Sequence, residues 1–213
     1  MSEGDRLADF LRRRGIADER VLAAMAAVPR ELFVPKELRR HAYDDRALPI
    51  GLDQTISQPF MVAAIAEALE LEGGERVLDV GAGSGYQAAV LAELAGEVMA
   101  IERLPELAER ARAALDSAGY ERVELVVGDG TLGVPERAPF DAIAVAAAAP
   151  DVPEALYAQL ASGGRLVLPV GTRRSQWLEV LVKGESGAER RRTVPCAFVP
   201  LVGAEGFADG GRG

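Results

Sequence analysis

The chain has one cysteine and one histidine in 213 residues, and two of its 24 basic residues are lysines. A single Cys196 excludes an internal disulfide and fits a reducing compartment. His41 lies far from every motif described below and reads as a surface or capping residue. Lys36 and Lys183 stand alone against a strong arginine bias, which reflects genome composition rather than function. No apolar run reaches the ~18 residues of a membrane span. The first residues are polar and acidic, so no secretory signal is expected. A net charge of -9 argues against a partner held mainly through phosphates. The expectation is a cytoplasmic monomer that binds neither nucleic acid nor membrane. Apolar and charged contents of 49% and 27% are those of a globular protein, and the length suits one large domain.

Residues 5–40 read as helical, with Asp18 capping a helix whose apolar positions are Val21, Leu22, Met25 and Val28. Pro29 and Pro35 break it. A polar, turn-rich piece over 43–59 leads into an apolar helix over 60–71 that ends at Gly73-Gly74. Strands then alternate with helices: strands over 77–80, 98–101, 123–127, 140–147 and 165–169, helices over 86–95, 104–118 and 153–160. Short strands that are apolar on both faces belong inside a parallel sheet. The alternation predicts an α/β fold with a doubly wound, mostly parallel sheet. Strands over 177–183 and 193–201 around a polar turn at 184–192 predict an antiparallel hairpin at one edge. Cys196 and Trp177 read as packing residues, and 208–213 as a frayed tail. The expected organisation is one domain: N-terminal helices and a substrate-side segment over 1–60, an α/β core over 61–171, and C-terminal strands over 172–207.

The most pointed stretch is Val77-Leu-Asp-Val-Gly-Ala-Gly-Ser-Gly-Tyr86. A buried strand runs into Gly81, Gly83 and Gly85, where positive φ and the missing Cβ let bare backbone approach a ligand. A turn without a ligand is the plainer alternative. A dinucleotide loop reads G-x-G-x-x-G, and here the third glycine comes one residue early. Ligands of open α/β sheets bind beyond the carboxyl ends of the strands, and three further features fall there. Glu102 can accept both hydroxyls of a ribose, or is an exposed acid after a strand. Asp129, between Gly128 and Gly130, can accept an exocyclic adenine amine, or forms a simple Asp-Gly turn. The small residues 146–149 leave room for a ligand or pack under a helix. The early third glycine and the nearby Asp79 suit a ligand with a sulfonium and an ammonium better than a pyrophosphate.

Asp79-Val-Gly-Ala-Gly-Ser-Gly85 resembles the first motif of the Rossmann-like methyltransferases, which bind S-adenosylmethionine. Gln54-Thr-Ile-Ser-Gln-Pro59, with Leu48-Pro-Ile-Gly51 and Val28-Pro-Arg-Glu-Leu-Phe-Val-Pro35, is similar to the protein-L-isoaspartate O-methyltransferases. The likeness covers nearly the whole chain, and the hexapeptide is its specific part. It implies a Rossmann-like fold and S-adenosyl-L-methionine as cofactor, with no metal. The implied acceptor is the free α-carboxylate of isoaspartyl residues in damaged proteins and peptides. The resulting ester closes to a succinimide, whose hydrolysis returns some normal aspartate. It further implies that Gln54, Thr55 and Ile56 lie near the cofactor together with Ala82 and Ser84 of the glycine loop. Ser57 is implied beside the substrate carboxylate, with Leu201 and Val202 on the acceptor side. The family usually has glycine where this chain has Asp53, and the segment after Leu201 is only loosely similar.

A carboxylic acid of pKa ~3.5 is already ionised at neutral pH, so no general base is required. The barrier must fall through positioning, which can supply up to ~7–11 kcal/mol. Ser57 would then orient the carboxylate by a hydrogen bond, or cap the helix that starts at Gln58-Pro59. A methyltransferase acting on a small molecule, or a cofactor-binding module without turnover, are the competing readings.

Overall fold

A computed structural model describes residues 1–209. Two helices open the chain, α1 (Glu3–Arg13) and α2 (Glu19–Ala27). Asp18 caps α2 by accepting the amides of Arg20 and Val21. The helical reading over 5–40, with its breaks at Pro29 and Pro35, holds as α-helix only as far as Ala27. Pro29 forces Val28 into an extended conformation (ψ 118°), and only short 3-10 turns follow, at Arg30–Phe33 and Lys36–His41.

The turn-rich piece holds a small antiparallel hairpin, β1 (Leu48–Gly51) and β2 (Gln54–Ile56). Leu52 and Asp53 form its two-residue turn, both with positive φ, the arrangement of a type I′ turn. Helix α3 (Pro59–Leu69) follows at once. Then come β3 (Arg76–Val80), α4 (Tyr86–Ala92), β4 (Glu97–Glu102), α5 (Pro105–Ser117), β5 (Glu124–Val127), β6 (Phe140–Val145), α6 (Glu154–Ala158), β7 (Leu160–Gly171), β8 (Gln176–Gly184) and β9 (Gly187–Cys196).

The main sheet has seven strands in the order β5-β4-β3-β6-β7-β8-β9. The first five run parallel, and β8 runs antiparallel to both of its neighbours, β7 and β9. Strand order reverses at β3, which pairs with β4 on one side and β6 on the other. Both faces are covered. Val77, Ala142 and Ala144 pack toward one cluster of the core, whereas Leu78, Val80, Ile143 and Val145 pack toward the other. That is why β3 and β6 are apolar at every position except Arg76 and Asp79 on β3 and Asp141 on β6.

The C-terminal hairpin is longer and earlier than expected. Its turn is Glu185-Ser186, and the stretch assigned to a turn forms most of β9. The side chains over 187–192 are exposed because β9 is a sheet edge, so a strand there carries a polar sequence. Trp177 is not a packing residue, being 40% exposed on β8. Cys196 is half-buried against the core, and burial pushes its thiol up to about 11. Of the expected tail, residues 210–213 lie outside the described residues. Among the described residues no helix is long and apolar enough to cross a membrane.

Gly4 marks where α1 crosses α2: a Cβ there would lie 2.1 Å from the Ala26 carbonyl oxygen. Gly4→Ala should destabilise the protein by about 1–3 kcal/mol through overpacking, read as a lowered denaturant midpoint.

Candidate active site at the carboxyl edge of the sheet

Between β3 and α4 the chain turns through Gly81, Gly83 and Gly85, all at positive φ. Gly85 is the N-cap of α4 in the left-handed region (φ 87°), and a Cβ there would lie 3.1 Å from Leu115 Cγ. Both φ and space require glycine at that position. The loop is pinned to β4: the amides of Gly81 and Ala82 donate to the Ile101 carbonyl at 2.9 and 3.1 Å. The Gly83 amide donates to Glu102 Oε2 at 2.9 Å, and the Leu104 amide donates to Oε1 at 3.0 Å. Glu102 is buried. Two backbone donors fix its orientation, and a carboxylate with about four acceptor positions still has two to offer.

Asp79 is fully buried on the α4 side of β3. Gln87 donates its side-chain amide to Asp79 Oδ1 at 2.7 Å. Asp79 Oδ2 and Gln87 Oε1 are buried without a hydrogen-bond partner. Two orphan acceptors beside the glycine loop fit a cationic donor such as an ammonium, since a buried acceptor left unpaired is costly. Burial pushes the Asp79 carboxyl up to about 7, against the Gln87 hydrogen bond and with the Glu102 charge adding to it.

The other wall of the cleft comes from the segment leaving β2. Gln54, Thr55, Ile56 and Ser57 line it opposite Gly81, Ala82, Gly83 and Ser84. Ser57 is not the helix cap: Gln58 occupies that position without a capping bond of its own, and Asp45 Oδ1 accepts the Phe60 amide of the first turn at 3.0 Å. Arg30, which is fully buried, donates Nη2–H to the Ser57 carbonyl at 2.7 Å and Nε–H to the Ala42 carbonyl at 2.6 Å. Asp53 sits exposed in the hairpin turn and does not line the cleft.

The third wall is C-terminal. Ala148 and the segment 199–201 exchange backbone bonds, Ala148 N–H to Val199 O at 2.8 Å and Leu201 N–H to Ala148 O at 2.7 Å. Leu201 and Val202 thereby reach the cleft. Asp129 holds this wall. Its Oδ1 accepts the Thr131 amide and hydroxyl, and its Oδ2 accepts the Ala204 amide at 2.8 Å. These bonds hold its carboxyl below the usual range against the opposing effect of burial.

Gln54, Thr55, Ile56, Ser57, Gly81, Ala82, Gly83, Ser84, Glu102, Gly130, Leu201 and Val202 thus share one cleft, while Asp79, Gly85, Gly128 and Asp129 stand behind its lining. Tyr86, Gln87, Arg103 and Leu104 line it without having been anticipated. Tyr86 and Gln87 carried a signal, lying in the first turn after the glycine loop. His41 is remote, bonded to Asp44 through Nδ1 at 2.9 Å. Glu102 and Arg103 are the charged side chains among the lining residues.

A sheet wound in this order, with its glycine loop closed on an acid at the end of the neighbouring strand, is that of the Rossmann-like S-adenosylmethionine-dependent methyltransferases. Residues 2–206 match the family described as protein-L-isoaspartate(D-aspartate) O-methyltransferase. The protein-L-isoaspartate O-methyltransferase of Methanoculleus marisnigri is 55% identical over 206 residues, covering 96% of this chain and 94% of that one. The one from Anaeromyxobacter dehalogenans is 59% identical, covering 92% and 95%. A solved protein-L-isoaspartate O-methyltransferase superposes with TM-score 0.85 at 30% identity, over 95% of this chain and 67% of that one. A Plasmodium falciparum protein described by the same activity, solved with S-adenosyl-L-homocysteine, gives 0.81 at 26%, covering 95% and 99%. The chain belongs to the protein-L-isoaspartate(D-aspartate) O-methyltransferase family.

Asp79 has a folded-state pKa raised from 3.8 to about 7. Its favourable contribution is therefore complete below about pH 4 and is lost as pH rises to about 7. In cofactor-free protein, the denaturation stability of wild type minus that of Asp79→Asn should fall across that interval and level off above it. A pH-independent difference would contradict the shifted carboxyl.

Proposed function

We propose that the cleft between the glycine loop and the 54–57 segment transfers a methyl group to the α-carboxylate of isoaspartyl residues, with Ser57 orienting that carboxylate. The chain is an S-adenosylmethionine-dependent protein carboxyl O-methyltransferase by family. The observation that carries the residue roles is the meeting of both motifs, 24 positions apart between Ser57 and Gly81, in the lining of one cleft.

When bound, S-adenosylmethionine supplies an electrophilic methyl on a sulfonium. The residues suited to hold it are Glu102, whose fixed carboxylate accepts ribose hydroxyls, and the backbone over 81–84. The orphan acceptors of Asp79 and Gln87 suit its ammonium. Asp129 contributes by fastening the C-terminal wall, with Gly128 and Gly130 letting the chain pass. The adenine-amine role expected of it competes with three hydrogen bonds already made to its carboxylate.

On the acceptor side the residues have no proton to remove, because the attacking carboxylate is ionised at neutral pH. No lysine or histidine lines the cleft. Ser57 Oγ donates a hydrogen bond that fixes the approach of the oxygen, and Leu201 and Val202 exclude water from it. Alignment of the two reactants is the main source of rate. We take the chain to act as one domain and as a monomer in the cytoplasm, supported by its composition and acidic charge.

The deciding experiment offers methyl-labelled cofactor with an isoaspartyl peptide and its normal aspartyl twin. Label should enter the isoaspartyl peptide alone, and equal labelling would refute the reading. Ser57→Ala should lower kcat by tenfold or more, the size of a lost hydrogen bond to a charged group at about 1.5–3 kcal/mol, while calorimetric affinity for S-adenosyl-L-homocysteine stays near wild type. Glu102→Ala should reverse that emphasis and weaken the calorimetric affinity.

A further inference from the structure

Among the described residues Arg30 is the one fully buried arginine, at 0% exposure. Burying a guanidinium is expensive unless it is paired, yet no carboxylate bonds it. Its hydrogen bonds go to two main-chain carbonyls, those of Ala42 and Ser57, and its Nη1 is buried without a partner. The guanidinium also stacks over the Tyr86 ring, 4.5 Å from its centroid. Tyr86 opens α4 directly after Gly85 and lines the cleft, as Ser57 does. One buried cation therefore touches both motifs: the backbone of the acceptor-side serine and the first residue after the cofactor loop.

A carbonyl held by a charged donor fixes the peptide plane on the carboxyl side of its Cα and narrows where that residue's side chain can point; here the two donors of one guanidinium also tie the Ser57 carbonyl to that of Ala42. Arg is suited to this because its donors lie in a rigid plane. Were the requirement only to fill space or stack on Tyr86, an apolar side chain of similar volume would serve with no buried charge to compensate. We infer that Arg30 is a positioning residue for the methyl transfer, holding Ser57 at a fixed angle and distance from the glycine loop through its carbonyl and Tyr86. This rests on the role proposed for Ser57.

The test is a double-mutant cycle between Arg30→Met and Ser57→Ala, read as kcat for an isoaspartyl peptide, with calorimetric affinity for S-adenosyl-L-homocysteine as the second readout. Arg30→Met should lower kcat about tenfold in the wild-type background. Its affinity for S-adenosyl-L-homocysteine should change less than about twofold, the size of an ordinary surface substitution. In the Ser57→Ala background the same change should cost less than about twofold in kcat, because the residue through which Arg30 acts is gone. Arg30→Lys keeps the charge but not the fork, should show the same pattern, and carries the cycle alone if Arg30→Met does not fold. Equal losses in both backgrounds, no loss, or a loss of affinity in step with kcat would each overturn the proposal. Unchanged kcat in Ser57→Ala alone would overturn the reading of Ser57, and the proposal with it, in a separate arm.

Discussion

The site depends on the reversal of strand order at β3. Because β4 and β6 flank it on opposite sides, the connections leaving β3 and β6 diverge and leave a crevice at their carboxyl ends. The backbone over 81–85 has to turn inside that crevice while satisfying its amides. Two donate to the Ile101 carbonyl and one to Glu102, all from β4. From the other side, the Ala146 amide donates to the Val80 carbonyl at 2.9 Å. Glycine in the loop, an acid at the end of β4 and small residues at the end of β6 are three consequences of one topological fact.

The same fact governs what could be read in the sequence. Central strands announce themselves because burial on both faces makes them apolar throughout, and the loop announces itself because positive φ leaves few residue choices. Signals that depend on partners far along the chain stay silent. Asp129 sits in a sequence that fits a turn, and nothing local shows that Ala204 is its partner. Arg30 lies in a short stretch between prolines, and its attachment to Ser57 spans 27 positions. Elements whose sequence is atypical for their conformation are hard to read. The β1–β2 turn uses Leu52 and Asp53 where glycine or asparagine is usual. Strand β9, solvated along its first six residues, has the composition of a loop. Asp53, where the family usually has glycine, takes the left-handed conformation (φ 57°), which aspartate tolerates better than most side chains, and it is not among the residues lining the cleft.

Charge divides the cleft in two. The loop side is acidic, with Asp79 buried, its Oδ2 unpaired, and Glu102 held by backbone amides. That arrangement attracts a ligand carrying positive charge on sulfur and nitrogen. It also repels the second reactant, which is a carboxylate: two like charges about 4 Å apart cost roughly 4 kcal/mol at an effective dielectric of 20. The acceptor side must therefore offer hydrogen-bond donors and positive potential without a mobile cation that would compete for Asp79 or Glu102. Two features of this chain meet that requirement. Ser57 lines the cleft with a neutral hydroxyl. Arg30 places a full charge behind the Ser57 carbonyl, where burial and Tyr86 prevent it from reaching the loop acids. A lysine or histidine in the cleft itself would attract a carboxylate but pair with Asp79 or Glu102. Arg103, the cation among the lining residues, is instead drawn to Asp209 at 3.6 Å, which leaves Asp79 and Glu102 without a competing partner.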